Sequence, residues 1–237
     1  MKIAVISDVH SNIDALEAVL QDIENRSVDR IISTGDLVGY LPYPNEVVDC
    51  FKKNAIESIK GNHDKKVSEH VFDQTLLSLK TQQEMQSSAS LLYTSKTITD
   101  DNRTYLRNLP EQARLEIGHI KILFLHGSPR KIDEYLYEDE MLLKSISEEM
   151  KCDVLVFGHT HIPYHRVINH KHFINAGSVG KPKHGNASSS YVVITIENNH
   201  ITTEVHYVDY NPYKLCDEIK SNNMISDKLI DSILNGI

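Results

Sequence analysis

Lys2-Ile3-Ala4-Val5-Ile6-Ser7-Asp8-Val9-His10-Ser11-Asn12 decides the fold class. Residues 2–7 are mostly apolar and rich in branched side chains, which reads as a short buried strand. The strand stops on a cluster of short polar residues. Ser11 or Asn12 then caps a helix in which Ile13, Leu16, Val19, Leu20 and Ile23 recur at helical spacing. The same sequence of events repeats downstream. Residues 30–33 form a second strand ending at Gly35-Asp36, and Pro42 and Pro44 mark a turn before a helix through Val47, Val48 and Phe51. Residues 56–59 form a third strand, which runs into the loop Gly61-Asn62-His63-Asp64. Strand, polar loop and helix in alternation predict βαβ units and a largely parallel sheet, hence an α/β protein.

Farther along, residues 65–108 are polar, contain no Gly or Pro, and carry apolar residues such as Leu76, Leu77 and Leu79 in helical clusters. They read as a helical insertion at about 65–110, packed over the sheet. A hairpin is expected from residues 113–117 and 120–125 around Gly118-His119, ending at His126-Gly127. A helix over 138–150 leads to a strand at 154–157 that stops at Gly158-His159-Thr160-His161. Three more strand-like runs follow at 164–168, 191–196 and 201–207, and the tail from Pro212 is helical, with Leu229, Ile230 and Ile233 on its apolar face. The organisation expected is one catalytic domain over 1–210, with a C-terminal helical extension over 211–237 packed on it.

The 237 residues suffice for a sizeable core, and 40% hydrophobic with 24% charged residues is the balance of a globular chain, not a disordered one. The formal charge of −8 argues against stable nucleic-acid binding through a broad basic face. It leaves room for a small phosphate ester, because bound cations can supply positive charge locally. Cys50, Cys152 and Cys216 are odd in number and scattered, which fits a reducing compartment. The apolar start is broken by Asp8 and His10 too early for a signal peptide, and no apolar run reaches membrane-spanning length. Cytoplasm is the expectation, with no membrane association; self-association into a homo-oligomer stays open.

The chemistry lies in where the polar residues fall. Asp8 and His10, Asp36, Asn62 and His63, His126, and His159 and His161 each follow a predicted strand. Loops at the carboxyl ends of strands in such sheets converge on one crevice. Singly, each residue has a plainer role: an Asp as helix cap, Asn62 as a turn residue, His126 as a core histidine. The combination, in fixed order at successive strand ends, decides for metal binding. Mixed oxygen and nitrogen donors without thiolates suit first-row ions rather than a structural zinc site. His70, His119, His165, His170, His172, His184, His200 and His206 read as surface or structural residues, with His184 worth watching for its neighbours.

Asp8-Val9-His10, Gly35-Asp36, Gly61-Asn62-His63-Asp64, His126-Gly127 and Gly158-His159-Thr160-His161 resemble, in order, the five motifs of calcineurin-like metallophosphoesterases. The resemblance implies a four-layer α/β/β/α sandwich of two mixed sheets with a helical insertion. It also implies two metal ions: manganese or iron, with zinc, nickel or cobalt as alternatives. Asp8, His10 and His161 would hold one ion, Asn62, His126 and His159 the other, and the Asp36 carboxylate would bridge them. His63 resembles the family's catalytic histidine, and Asp64 either orients the His63 ring or caps a helix.

Asp36-Leu37-Val38-Gly39-Tyr40, Pro44-Asn45-Glu46-Val47 and Asn175-Ala176-Gly177-Ser178-Val179-Gly180 resemble a narrower branch of bacterial and archaeal phosphodiesterases, some similar to diadenosine tetraphosphate hydrolases. That resemblance places Gly177 and Ser178 beside the metals, where backbone N–H groups approach a phosphate. Relatives often continue with Gln-Pro-Arg-Asp; this chain has Lys181-Pro182-Lys183-His184, and Lys181 and Lys183 become candidate contacts to a polyphosphate. Tyr40, with Tyr43 and Tyr164, is a candidate to stack on a base. The function expected is a two-metal phosphodiesterase acting on a small nucleotide or dinucleoside polyphosphate. A phosphomonoesterase or protein phosphatase is the alternative, and a non-catalytic scaffold, which the retromer subunit of this fold resembles, is a third. Against the scaffold, no ligand and no catalytic histidine is missing.

Overall fold

The computed structural model describes residues 1–69 and 82–237, with side chains from residue 88 onward in the second stretch. In chain order the described elements are β1 (Lys2–Ile6), α1 (Ile13–Glu24), β2 (Arg30–Ser33), α2 (Pro44–Lys53), β3 (Glu57–Ser58) and α3 (Asn62–Glu69). Then come α4 (Gln82–Thr97), α5 (Asp100–Asn108), β4 (Gln112–Ile117), β5 (Ile120–Leu125), α6 (Glu140–Glu149) and β6 (Val154–Phe157). The chain closes with β7 (Tyr164–Ile168), β8 (Lys171–Asn175), β9 (Ser189–Glu197), β10 (His200–Val208), α7 (Tyr213–Ser221) and α8 (Lys228–Asn235). Leu76, Leu77, Leu79 and His70 lie outside the described residues.

Two five-stranded sheets result, ordered β10-β9-β1-β2-β3 and β4-β5-β6-β8-β7. Each is mixed. In the first, β1, β2, β3 and the edge strand β10 run one way while β9, lying between β10 and β1, runs against them; in the second, β5, β6 and β8 are parallel while β4 and β7 are antiparallel.

Alternation along β1 explains the layering. Ile3 and Val5 face the second sheet, where they meet a core containing Ile122, Phe124, Val154, Val156 and Ile174. Ala4 and Ile6 face the other way, onto Leu16 and Val19 of α1 and Val48 and Phe51 of α2. The second sheet turns Leu155, Phe157 and Phe173 outward against Leu143 and Ile146 of α6. With both faces covered, the central strands read as continuous apolar runs. The outcome is the four-layer α/β/β/α sandwich. The C-terminal helices bury Leu215, Ile219, Ile225 and Ile233 around Leu41, so they dock against the loop between β2 and α2.

Three details depart from the sequence reading. The third strand shrinks to two residues, and Asn62, His63 and Asp64 form the first turn of α3 instead of a loop. Asp64 is the reason: as the third helical residue it accepts from the Gly61 N–H at the N-cap (2.9 Å), half of a capping box. Strand β8 was not expected. It pairs with β7 through a two-residue turn in which Asn169 (φ 50°) and His170 (φ 60°) are both left-handed, as a type I′ hairpin demands. The three cysteines are free thiols. Among the described residues no helix is long and apolar enough to cross a membrane.

Candidate metal centre

The carboxyl ends of β1, β2, β3, β5 and β6 meet at one end of the sandwich. Backbone hydrogen bonds carry the pairing past the strands: Asp8 N–H donates to Gly35 O (3.0 Å), His10 N–H to Asp36 O (3.0 Å), and Gly180 N–H to Asp8 O (3.0 Å). Asp8, His10, Asp36, His159 and His161 all adopt left-handed backbone, with φ between 49° and 65°. Asp and His tolerate this region far better than branched residues do. Side chains then tie the loops together: His159 N–H donates to Asp8 Oδ2 (2.9 Å) and His63 N–H to Asp36 Oδ1 (2.8 Å). Glycine precedes Asn62 and His159 for a steric reason, since a Cβ at Gly61 would collide with the Asp36 carboxylate and one at Gly158 with that of Asp8.

Four histidines, His10, His126, His159 and His161, are each tethered by one ring nitrogen to a backbone carbonyl. His10 Nδ1 bonds Val38 O (3.2 Å), His126 Nδ1 bonds Thr34 O (2.8 Å), and His161 Nδ1 bonds Lys181 O (2.5 Å). His159 is reversed, using Nε2 toward Asp133 O (3.1 Å). A carbonyl only accepts, so the tethered nitrogen carries the proton and the other presents a lone pair. Those lone pairs converge. His10 Nε2 and His161 Nε2 are 3.1 Å apart, with Asp8 Oδ1 at 3.6 and 3.2 Å from them. Asp8 Oδ1 is buried and meets no hydrogen-bond donor among the described residues. His126 Nε2 lies 2.9 Å from Asn62 Oδ1 and 3.2 Å from Asp36 Oδ2. Acceptors facing acceptors in a buried space repel unless a cation sits among them, and tethered imidazoles of this kind suit metal ligation. Asp8, His10 and His161 form one buried cluster, and Asp36, His126 and His159 the other. Asp36 Oδ2 borders both, being also 3.8 Å from His10 Nε2.

The electrostatics agree. Burial opposes charge on Asp8, but His161 and His10 outweigh it and hold the carboxyl well below its usual range. Burial likewise opposes charge on His126, yet the Asp36 carboxylate raises it to about 10, so a proton there takes the place of a cation when none is bound. Burial drives His161 down to about 4, leaving its lone pair available.

Around this centre the expected residues sort unevenly. His63 is buried against Gly39, and its ring centroid is 4.7 Å from that of Tyr40 and 5.0 Å from that of His10. Its Nδ1 has no hydrogen-bond partner among the described residues. Asp64 does not orient that ring. Its carboxylate accepts from the N–H groups of Asp36 (2.8 Å), Gly61 (2.9 Å) and Val38 (3.2 Å), tying two ligand loops together. Burial and the Asp36 charge push Asp64 up to about 7, against the pull of the Gly61 and Val38 donors.

Gly177 and Ser178 offer no free donors to a phosphate. Their N–H groups go to Asn175 Oδ1 and Ser190 Oγ, and Ser178 Oγ donates to Asp8 O (2.7 Å), so this turn braces the Asp8 loop. Lys181 is buried with Nζ 5.4 Å from the Tyr40 ring centroid; burial and nearby Lys183 lower it to about 8. Lys183 and Tyr40 line a cavity of about 200 Å³ above the clusters, together with Lys66, Asp133 and Tyr135. Tyr43 belongs to the C-terminal cluster and Tyr164 to the core of the second sheet, so neither reaches the cavity. His184 meets Tyr207 edge-on instead. Lys66, Asp133 and Tyr135 lie outside the strand-end motifs, and in the sequence only the aromatic spacing of Tyr135 and Tyr137 signals anything there.

Two buried donor clusters sharing a carboxylate, at the ends of two packed sheets, define a metal-dependent phosphoesterase. The chain belongs to the calcineurin-like phosphoesterase superfamily, whose domain model matches residues 1–199. It is 32% identical over 244 residues to the uncharacterized protein MJ0912 of Methanocaldococcus jannaschii, covering 94% of this chain and 93% of that one. The structure of PH1004 from Pyrococcus horikoshii superimposes with a TM-score of 0.85 at 22% identity, over 100% of this chain and 98% of that one. A metallophosphoesterase from Sphaerobacter thermophilus follows at a TM-score of 0.78 and 28% identity, over 100% and 99% of the two chains.

Proposed function

We propose that this phosphoesterase is a two-metal phosphodiesterase of the cytoplasm, acting on a small nucleotide or dinucleoside polyphosphate. The observation that carries the two-metal reading is the pair of acceptor clusters joined at Asp36 Oδ2. Asp8, His10 and His161 would hold one ion and Asn62, His126 and His159 the other, with Asp36 between them; manganese or iron fits these hard and borderline donors. When bound, the ions supply positive charge against the non-bridging phosphate oxygens and activate the attacking water.

The chain's own residues do the rest. With Nδ1 buried against Gly39, His63 has Nε2 left for the cavity, where it donates a hydrogen bond to the leaving oxygen as charge develops. Asp64 keeps the loops of Asp36 and His63 in register. Lys66 and Lys183 add two cations along the cavity wall, more than a single phosphoryl group needs, which favours a polyphosphate chain.

The test is hydrolysis by metal-stripped protein reloaded with manganese, offered bis-p-nitrophenyl phosphate, p-nitrophenyl phosphate and diadenosine tetraphosphate in parallel. Faster turnover of the diester or the dinucleotide is expected. Preference for the monoester would replace the proposal with a phosphatase.

A further inference from the structure

The aromatic structure beside the metal centre continues outward from it. Tyr135 stacks on the His159 imidazole, with centroids 4.0 Å apart and planes at 23°. Tyr137 stacks on Tyr135 at 5.6 Å and 7°. Three nearly parallel rings thus lead from a candidate ligand toward solvent. Both tyrosines stay open, with 44% and 50% of their surface exposed, and Tyr135 lines the cavity.

The local sequence Glu134-Tyr135-Leu136-Tyr137-Glu138 explains the geometry. Tyr135 and Tyr137 stack on each other and stay exposed, while Leu136 between them turns inward. Leu136 is wholly buried in the outer core of the second sheet. Tyr164 Oη, in that same core, donates to the Leu136 carbonyl at 2.7 Å, and Asp133 O holds His159 at 3.1 Å. The segment is therefore fixed from below and from its start, and little ordering cost remains for a ligand to meet. Exposed aromatic surface continuous with a polar cavity is the pattern of a binding site, whereas scattered exposure is ordinary.

We propose that Tyr135 and Tyr137 form a stacking platform for a nucleobase attached to the phosphate held at the metal centre. The inference rests on the reading of this site as one for nucleotide phosphoesters, and it assigns the side chains that take the base. A nucleotide joins both requirements in one molecule: an anion for the cation-lined centre and a π-face for the exposed rings, separated by a ribose. Stacking on aromatic side chains accepts any base, so the platform predicts base-dependent binding with weak choice among bases.

Titration calorimetry on the manganese-loaded protein tests this, with adenosine 5′-monophosphate and ribose 5-phosphate as probes. They share phosphate and sugar and differ in the base. The nucleotide should bind about tenfold more tightly. Tyr137→Ala should remove most of that preference, while Tyr137→Phe, which keeps the ring, should retain it. Equal affinity for the two probes in the parent protein, or an undiminished preference in Tyr137→Ala, overturns the proposal. The measurement needs no turnover. A base preference that vanishes in Tyr137→Ala, with no diester hydrolysed, would remove the phosphodiesterase reading and leave the platform standing.

Discussion

Asp64→Asn is a near-isosteric change whose cost can be worked from three hydrogen bonds. Asp64 Oδ2 accepts from the N–H groups of Asp36 (2.8 Å) and Gly61 (2.9 Å), and Oδ1 from that of Val38 (3.2 Å). An asparagine can keep its single oxygen on the two-donor side. Its NH2 group then faces the Val38 N–H, leaving a buried donor unsatisfied at a cost of about 1–3 kcal/mol. The other two bonds fall from charge-assisted to neutral, which costs about 1–2 kcal/mol together. The total is roughly 2–5 kcal/mol, a large share of the ~5–15 kcal/mol that holds a typical domain together. Relief of the burial cost and of the Asp36 repulsion, which together lift Asp64 to about 7, offsets much of this in metal-free protein, so the cost should be larger once cations have neutralised Asp36. The assay is urea unfolding at pH 8, where Asp64 is charged, on stripped and manganese-loaded protein. Manganese affinity should also fall by about 10–100-fold, as when other groups that orient ligands are lost. A variant within about 0.5 kcal/mol of the parent in both forms would refute the account of Asp64 as the tie between the loops.

Gly158→Ala places a methyl group against Ser7 Oγ and the Asp8 carboxylate, so it should displace Asp8 and lower metal content by one ion per chain; full occupancy by elemental analysis would contradict the steric argument. His63→Ala should slow turnover by about 10²–10⁴-fold with both ions retained, and loss of metal instead would make His63 a ligand. Asp22 is held below its ordinary pKa mainly by its hydrogen bond with Arg26, helped by the Tyr191 hydroxyl. A carboxyl with a depressed folded pKa stabilises above its unfolded value near 3.8 and loses that contribution as pH falls. Asp22→Asn should therefore flatten the fall in unfolding free energy below that pH, and an unchanged slope would sink the assignment.

Strand ends and the site residues on them were legible because both depend on local pattern. An apolar run followed by Gly-Asp or Gly-His says where a parallel strand stops, and the stopping points of parallel strands coincide in space. What escaped depends on pairing across the chain. Lys171-His172-Phe173-Ile174-Asn175 shows little alternation on its own and becomes a strand by pairing with both β6 and β7. Gly177 and Ser178 pointed to phosphate binding through the resemblance of residues 175–180 to the phosphodiesterase branch. Their donors are in fact consumed by Asn175, Ser190 and the Asp8 carbonyl, none of them visible as partners in the sequence. Asp133 acts through its carbonyl oxygen, which any residue type would supply, so no sequence reading can single it out.

The left-handed backbone at Asp8, His10, Asp36, His159 and His161 bears on how such a chain can change over evolutionary time. Asparagine and glycine enter that conformation as easily as aspartate and histidine, or more easily, whereas valine, isoleucine and threonine do not. At Asp8 and Asp36, drift away from metal binding therefore has an inexpensive route through Asn, which enters this conformation and keeps a side-chain oxygen for the N–H groups of His159 and His63. Hydrolytic power and architecture can part company here: a descendant could shed every ion and still fold into the same four layers.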